Sequence, residues 1–91
     1  MPDSMSFDEA ALRIEARRRV ADGRLPRTAP LYMWAGTGSG ARCALCDRSI
    51  DAGQVEYELE FNSAPASVYR FHRLCHDAWH LEHHNSVAHR P

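Results

Sequence analysis

Cys43-Ala44-Leu45-Cys46, twenty-five intervening residues, then His72-Arg73-Leu74-Cys75, is the stretch that decides how this chain is read. Each pair is spaced by two residues, so each can clamp one ion from a single turn of backbone. Together they make a Cys3His set, which suits a tetrahedral, closed Zn²⁺ site. Soft thiolates disfavour Mg²⁺ and Ca²⁺. The expectation is one structural zinc held by Cys43, Cys46, His72 and Cys75. His76, one helical turn beyond His72, is a second candidate for the fourth ligand.

Between the two pairs the pattern is that of a hairpin. Asp51-Ala52-Gly53 reads as a turn, and Gln54 to Phe61 alternates cleanly. Val55, Tyr57, Leu59 and Phe61 share one side; Gln54, Glu56, Glu58 and Glu60 share the other, the period of a half-buried strand. After the loop at 62–67, Val68 to Phe71 returns as a second strand. A final helix is predicted from near Arg73 to about His84, with a frayed tail at 86–91.

A cysteine knuckle, a hairpin and a helix carrying the second ligand pair, over Ala41 to Glu82, resembles the treble-clef zinc finger of the single-zinc CxxC…HxxC type. The resemblance implies that Cys43, Cys46, His72 and Cys75 are the ligands. Many such knuckles place Gly after the second cysteine; here it is Asp47, which tolerates left-handed backbone better than most residues. RING and LIM domains need eight ligands, and this chain has no second CxxC. The longer pattern WAGxGxG, CxxC, acidic strand, FHxxCxxxW also resembles small bacterial proteins, a likeness that implies no function.

Upstream, Ser6 and Glu9 read as a capping box opening a helix over about Phe7 to Asp22, with Gly23 as its left-handed cap. Phe7, Ala11, Ile14 and Ala21 make a thin apolar stripe interrupted by Arg18, so this helix is expected to dock weakly or to meet a partner. Leu25 to Pro30 reads as an extended linker. Leu31 to Trp34 is an apolar cluster, and Gly36-Thr37-Gly38-Ser39-Gly40 a flexible lead-in without the features of a nucleotide loop. The fold class expected is small α+β. Residues 1–30 form an N-terminal helix and linker, 31–85 a treble-clef zinc-binding domain and 86–91 a tail.

With 91 residues, 44% of them hydrophobic, the chain is sized for one domain. No stretch nears the length of a membrane span, so no membrane partner is expected. The first ten residues lack the basic head and apolar run of a secretory signal. Three cysteines, an odd number, argue against a disulfide framework and for a reducing, cytoplasmic setting. All eleven basic residues are arginine, against twelve acids, for a net charge of −1. The charge is polarised: Arg13, Arg17, Arg18, Arg19, Arg24 and Arg27 cluster early, and an acidic strand follows.

His72, His76, His80 and His83 fall within about 80° on a helix, with Trp79 beside them, while Leu74, Ala78 and Leu81 are expected to face the core. His76, Trp79, His80 and His83 therefore form a candidate partner or accessory-metal face, or a plain solvated one. His83-His84-Asn85 and His89 share the letters of an HNH nuclease but crowd one helix end. A closed four-ligand zinc has no open position for chemistry, so no enzyme is expected. The reading is a zinc-stabilised module for protein–protein contact or homodimerisation. The alternative is a nucleic-acid-binding finger using the six early arginines. A nuclease or metal-handling protein comes last.

Overall fold

The computed structural model describes residues 9–63 and 67–88, with side chains described through Glu82. The elements in order are α1 (Glu9–Ala21), β1 (Tyr32–Thr37), β2 (Val55–Phe61), β3 (Ser67–His72) and α2 (Arg73–Ala88). They form an α+β unit with one antiparallel sheet in the order β1-β2-β3. The alternation over Gln54 to Phe61 is β2, and its hairpin with β3 pairs Glu56 with His72 and Glu60 with Val68. Leu59, Phe61 and Phe71 turn inward beneath α2, where Phe71 stacks on Trp79 with centroids 5.7 Å apart and Phe61 meets the same ring edge-on.

The third strand, β1, was not expected. It takes in most of the Leu31–Trp34 cluster and the start of the supposed flexible loop, and pairs along β2 from Tyr32↔Glu60 to Thr37↔Val55. Gly38 closes this segment: its N–H donates to Gln54 O at 2.8 Å, and a Cβ there would collide with the carbonyl oxygens of Ile50 and Asp51. The glycine serves close backbone approach.

α1 ends as expected. Gly23 has φ 85°, Arg24 N–H donates to Arg19 O and Gly23 N–H to Val20 O, the paired bonds of a Schellman cap. Its apolar face, however, is a different one. Leu12, Ala16 and Val20, spaced by four, are buried, while Ala11, Ile14 and Ala21 are exposed. The stripe packs along α2, so the helix belongs to the same core as the sheet. Phe7 and the Ser6 cap lie outside the described residues.

The supposed linker is also tied down. Leu25 is buried, and Trp79 Nε1–H donates to Pro26 O at 3.0 Å. α2 starts at Arg73, as expected, and extends to Ala88, past the predicted end at His84 and into the supposed tail. Its inward face is Cys75, His76, Ala78, Trp79 and Glu82, whereas Leu74 and Leu81 are exposed, the reverse of the expectation for both leucines. Among the described residues, no helix is long and apolar enough to cross a membrane.

Candidate metal centre

The knuckle is a small loop closed on itself. Ile50 N–H donates to Ala41 O, Cys43 N–H to Arg48 O and Asp47 N–H to Cys43 O, around a bridge between Arg42 and Ser49. Asp47 is the turn residue, with φ 66°, a left-handed conformation in which aspartate is tolerated. Ala44 N–H donates to Arg70 O at 2.7 Å, which hangs the knuckle on the outer edge of β3. His72 ends β3 and Cys75 lies in the first turn of α2, so one change of direction brings both into the knuckle's mouth.

The ligand atoms of Cys43, Cys46, His72 and Cys75 all lie within 4.8 Å of one another. Cys43, His72 and Cys75 are buried and Cys46 is half-buried. His72 Nδ1 stands 3.4 Å from Cys46 Sγ and 3.9 Å from Cys75 Sγ. A tetrahedral ion with bonds of about 2.1–2.3 Å needs donor–donor edges of about 3.5–3.8 Å, so the cage is of the right size. The other ring nitrogen, Nε2, faces Ser49 O at 3.1 Å. Donation to that carbonyl places the proton on Nε2 and leaves the Nδ1 lone pair for a metal, the usual way a second partner fixes a ligating imidazole. Leu45 N–H points at Cys43 Sγ at 3.4 Å, a donor that favours a thiolate.

The electrostatics agree. The neighbouring Cys46 and Cys75 thiols stabilise a Cys43 thiolate and hold its pKa far below the usual thiol range. That anion in turn pushes Cys46 and Cys75 up, since further negative charge is opposed in the same cluster. A cation is what lets all three ionise together. These four residues could therefore hold a metal ion. His76 is not among them; its Nδ1 faces Asp77 Oδ1 at 3.1 Å.

The rest of the supposed histidine face divides. His76 is buried, its ring tilted on Tyr57 at 4.8 Å and its pKa lowered by burial. Trp79 is 1% exposed, so it is a core residue and presents no surface. His80 is exposed and stacks on His76 at 5.8 Å. The His83 side chain lies outside the described residues.

The arginines are placed with equal clarity. Glu82, only 7% exposed, receives Arg13 Nε and Arg17 Nε, each at 3.2 Å, and is held below the usual carboxyl range mainly by Arg17. Arg18 and Arg19 pair with Glu15. Arg19 also donates to Ala44 O at 3.0 Å and Asp47 Oδ2 at 2.9 Å, which bolts α1 to the knuckle. Arg24 pairs with Asp22, and Arg27 has no ion-pair partner among the described residues. Glu56 is a further residue that strand alternation hid. On the outer, polar side of β2 it is nevertheless buried, because Ser39 N–H and Oγ–H both donate to it at 2.8 Å and Arg70 pairs with it at 3.3 Å. Only the WAGxGxG run, with its serine, hinted at this closure.

No protein-family model, no curated protein and no solved structure matches this chain.

Proposed function

We propose that this chain is a small zinc-stabilised module that binds another protein, with one zinc in a closed Cys3His site of treble-clef type. Three thiolates and an imidazole favour Zn²⁺ over hard cations, and four protein ligands leave no position for water or substrate. The zinc is therefore structural and the protein is not an enzyme. Three thiols kept as ligands suit a reducing, cytoplasmic compartment. The order of knuckle, hairpin and ligand-bearing helix supports the treble-clef assignment.

The observation that carries the binding reading is the apolar segment Leu31–Trp34, exposed among the described residues. All four side chains are at least half exposed, while the chain builds its core elsewhere from α1, Leu25, the knuckle, α2 and the other two strands. Contiguous exposed apolar surface of this kind marks interaction sites. Nucleic-acid binding through α1 is the weaker reading, because Glu15, Asp22, Asp47 and Glu82 offset five of the six arginines that phosphate would need.

The test has two parts. Native mass spectrometry should find one zinc per chain that survives mild chelation. Tagged full-length protein, mixed with extract of its source cells, should retain a protein that withstands nuclease and raised salt and is lost with Met33→Ser/Trp34→Ser. Retained material that nuclease releases, or that falls away steeply with salt, overturns the reading in favour of nucleic acid.

A further inference from the structure

Among the described residues, the outer edge of β1 is open: neither helix comes against this strand, and no element pairs with its far side. The Gly38–Gln54 bond sets the phase of the ladder with β2, so the even-numbered residues of β1 turn their backbone groups toward β2. Met33, Ala35 and Thr37 turn theirs outward. A six-residue strand with free donors and acceptors is a template for one more strand, and proteins that have no use for such an edge blunt it with charge or proline. β1, Tyr-Met-Trp-Ala-Gly-Thr, carries neither.

The two faces beside this edge differ. On the outer face Tyr32 and Trp34 stack with centroids 5.7 Å apart, and their cross-strand neighbours are Glu60 and Glu58. Arg70 pairs with Glu56 and Glu58, but the Glu60 carboxylate has no ion pair among the described residues. A hollow of about 310 Å³ between Trp34, Gly36, Ser39, Glu56 and Glu58 lies on the same face. Aromatic rings beside carboxylates suit arginine or lysine, whose stems cover the rings while their charges meet the acids. On the inner face Leu31 and Met33 continue the apolar side of the sheet and are exposed.

We propose that the β1 edge binds an extended segment of a partner protein in which basic residues alternate with apolar ones, added to the sheet as a fourth strand. Backbone pairing with Met33, Ala35 and Thr37 supplies the docking. The Tyr32–Trp34 rings with Glu58 and Glu60 select the basic side chains, and Leu31 and Met33 receive the apolar ones. A second copy of this chain fits less well: pairing two β1 edges would bring two acidic outer faces side by side. The inference rests on the binding-module reading and names its site and ligand.

The test uses the zinc-loaded full chain and a synthetic peptide of about eight residues alternating Arg and Val, the length of an ordinary strand. Binding is read by calorimetry and by amide exchange. The expected result is saturable binding that protects the Met33, Ala35 and Thr37 amides. A peptide with Glu in place of Arg should bind at least about tenfold more weakly, as should one with the same residues in two blocks. Ala35→Pro removes an outward N–H, a change edge strands accept, and should cost about tenfold in affinity while zinc content and melting temperature hold. Glu58→Gln/Glu60→Gln, which leaves the backbone alone, should weaken the Arg–Val peptide several-fold and leave the Glu–Val peptide no worse.

Equal binding by Ala35→Pro, or by the Glu–Val peptide, overturns the proposal. So does a wild-type dimer, seen by sedimentation, that Ala35→Pro dissociates. A protein partner retained from extract by Ala35→Pro as well as by wild type sinks this site and leaves the broader reading standing. No protein retained from extract by wild type sinks the broader reading, and this inference with it, whatever the peptide does.

Discussion

β3 and β1 are the two edges of one short sheet, and the chain treats them in opposite ways. At β3 the knuckle reaches across to bond Arg70 O, His72 turns into the Cys3His cluster, and α2 follows directly. At β1 no described element adds to the ladder with β2, and all six residues are exposed. Covering an edge secures backbone groups that would otherwise need water or a partner. On the zinc reading proposed above, stability is expected to concentrate at the Cys3His end, and the β1 edge to carry a surface that folding does not require.

The sharpest way to break this contrast is to empty the metal end. On the zinc reading, Cys75→Ala removes a buried ligand, and because apparent binding energies of structural zinc sites are about 10–16 kcal/mol, the domain is expected to be largely unfolded. Loss of far-UV ellipticity and of amide dispersion checks it; a folded, metal-free variant would show that the apolar core alone suffices. Trp79→Ala comes next. It deletes the ring that Phe61 and Phe71 pack on and strands the Pro26 carbonyl, for an expected loss of about 3–5 kcal/mol by chemical denaturation.

Glu82→Gln tests the tie between α1 and α2. The carboxylate is buried but its arginine partners reach solvent, so the expected loss is about 1–2 kcal/mol at pH 7. The sign with pH follows from the lowered pKa. An acid held below its ordinary value of 4.5 contributes stability that is complete above about pH 5.5 and is lost as the pH falls through the folded-state value. The gap between wild type and Glu82→Gln should therefore narrow below about pH 5.5. A gap that stays constant down to about pH 4 would mean that the pairing with Arg13 and Arg17 is not its source.

The parts of this fold that could be read from the chain are those written in local spacing. The two ligand pairs, the β2 alternation, the Gly23 cap and the left-handed Asp47 each sit within a few residues of their cause. β1 was missed because both of its faces are exposed, so no alternation of burial marks it, and its glycines imitate a loop. The buried stripe of α1 was missed because Ala16 is small and three arginines crowd around Val20. Trp79 was placed on a histidine face by its helical position, but its partners, Phe61, Phe71 and Pro26, come from other elements. Glu82 was invisible for the same reason, since Arg13 and Arg17 lie 69 and 65 residues away.

The smallest effect is expected at β1 itself, and it is the most telling for the contrast between the edges. Trp34 is a large aromatic residue, yet half of it is exposed, and its described ring contact is with Tyr32 on the same strand. Trp34→Ser removes that stacking and a little covered area, so the cost should stay within about 0.5–1 kcal/mol, against about 3–5 kcal/mol for the buried tryptophan of α2. Zinc stoichiometry should not change. Paired denaturation curves of Trp34→Ser and Trp79→Ala measure the difference directly. Similar losses from the two would make β1 a structural strand after all. A loss at Trp34 several-fold smaller would mean that the ring's exposure is not required by folding, which leaves recognition as the physical reason for so much apolar surface on an open edge.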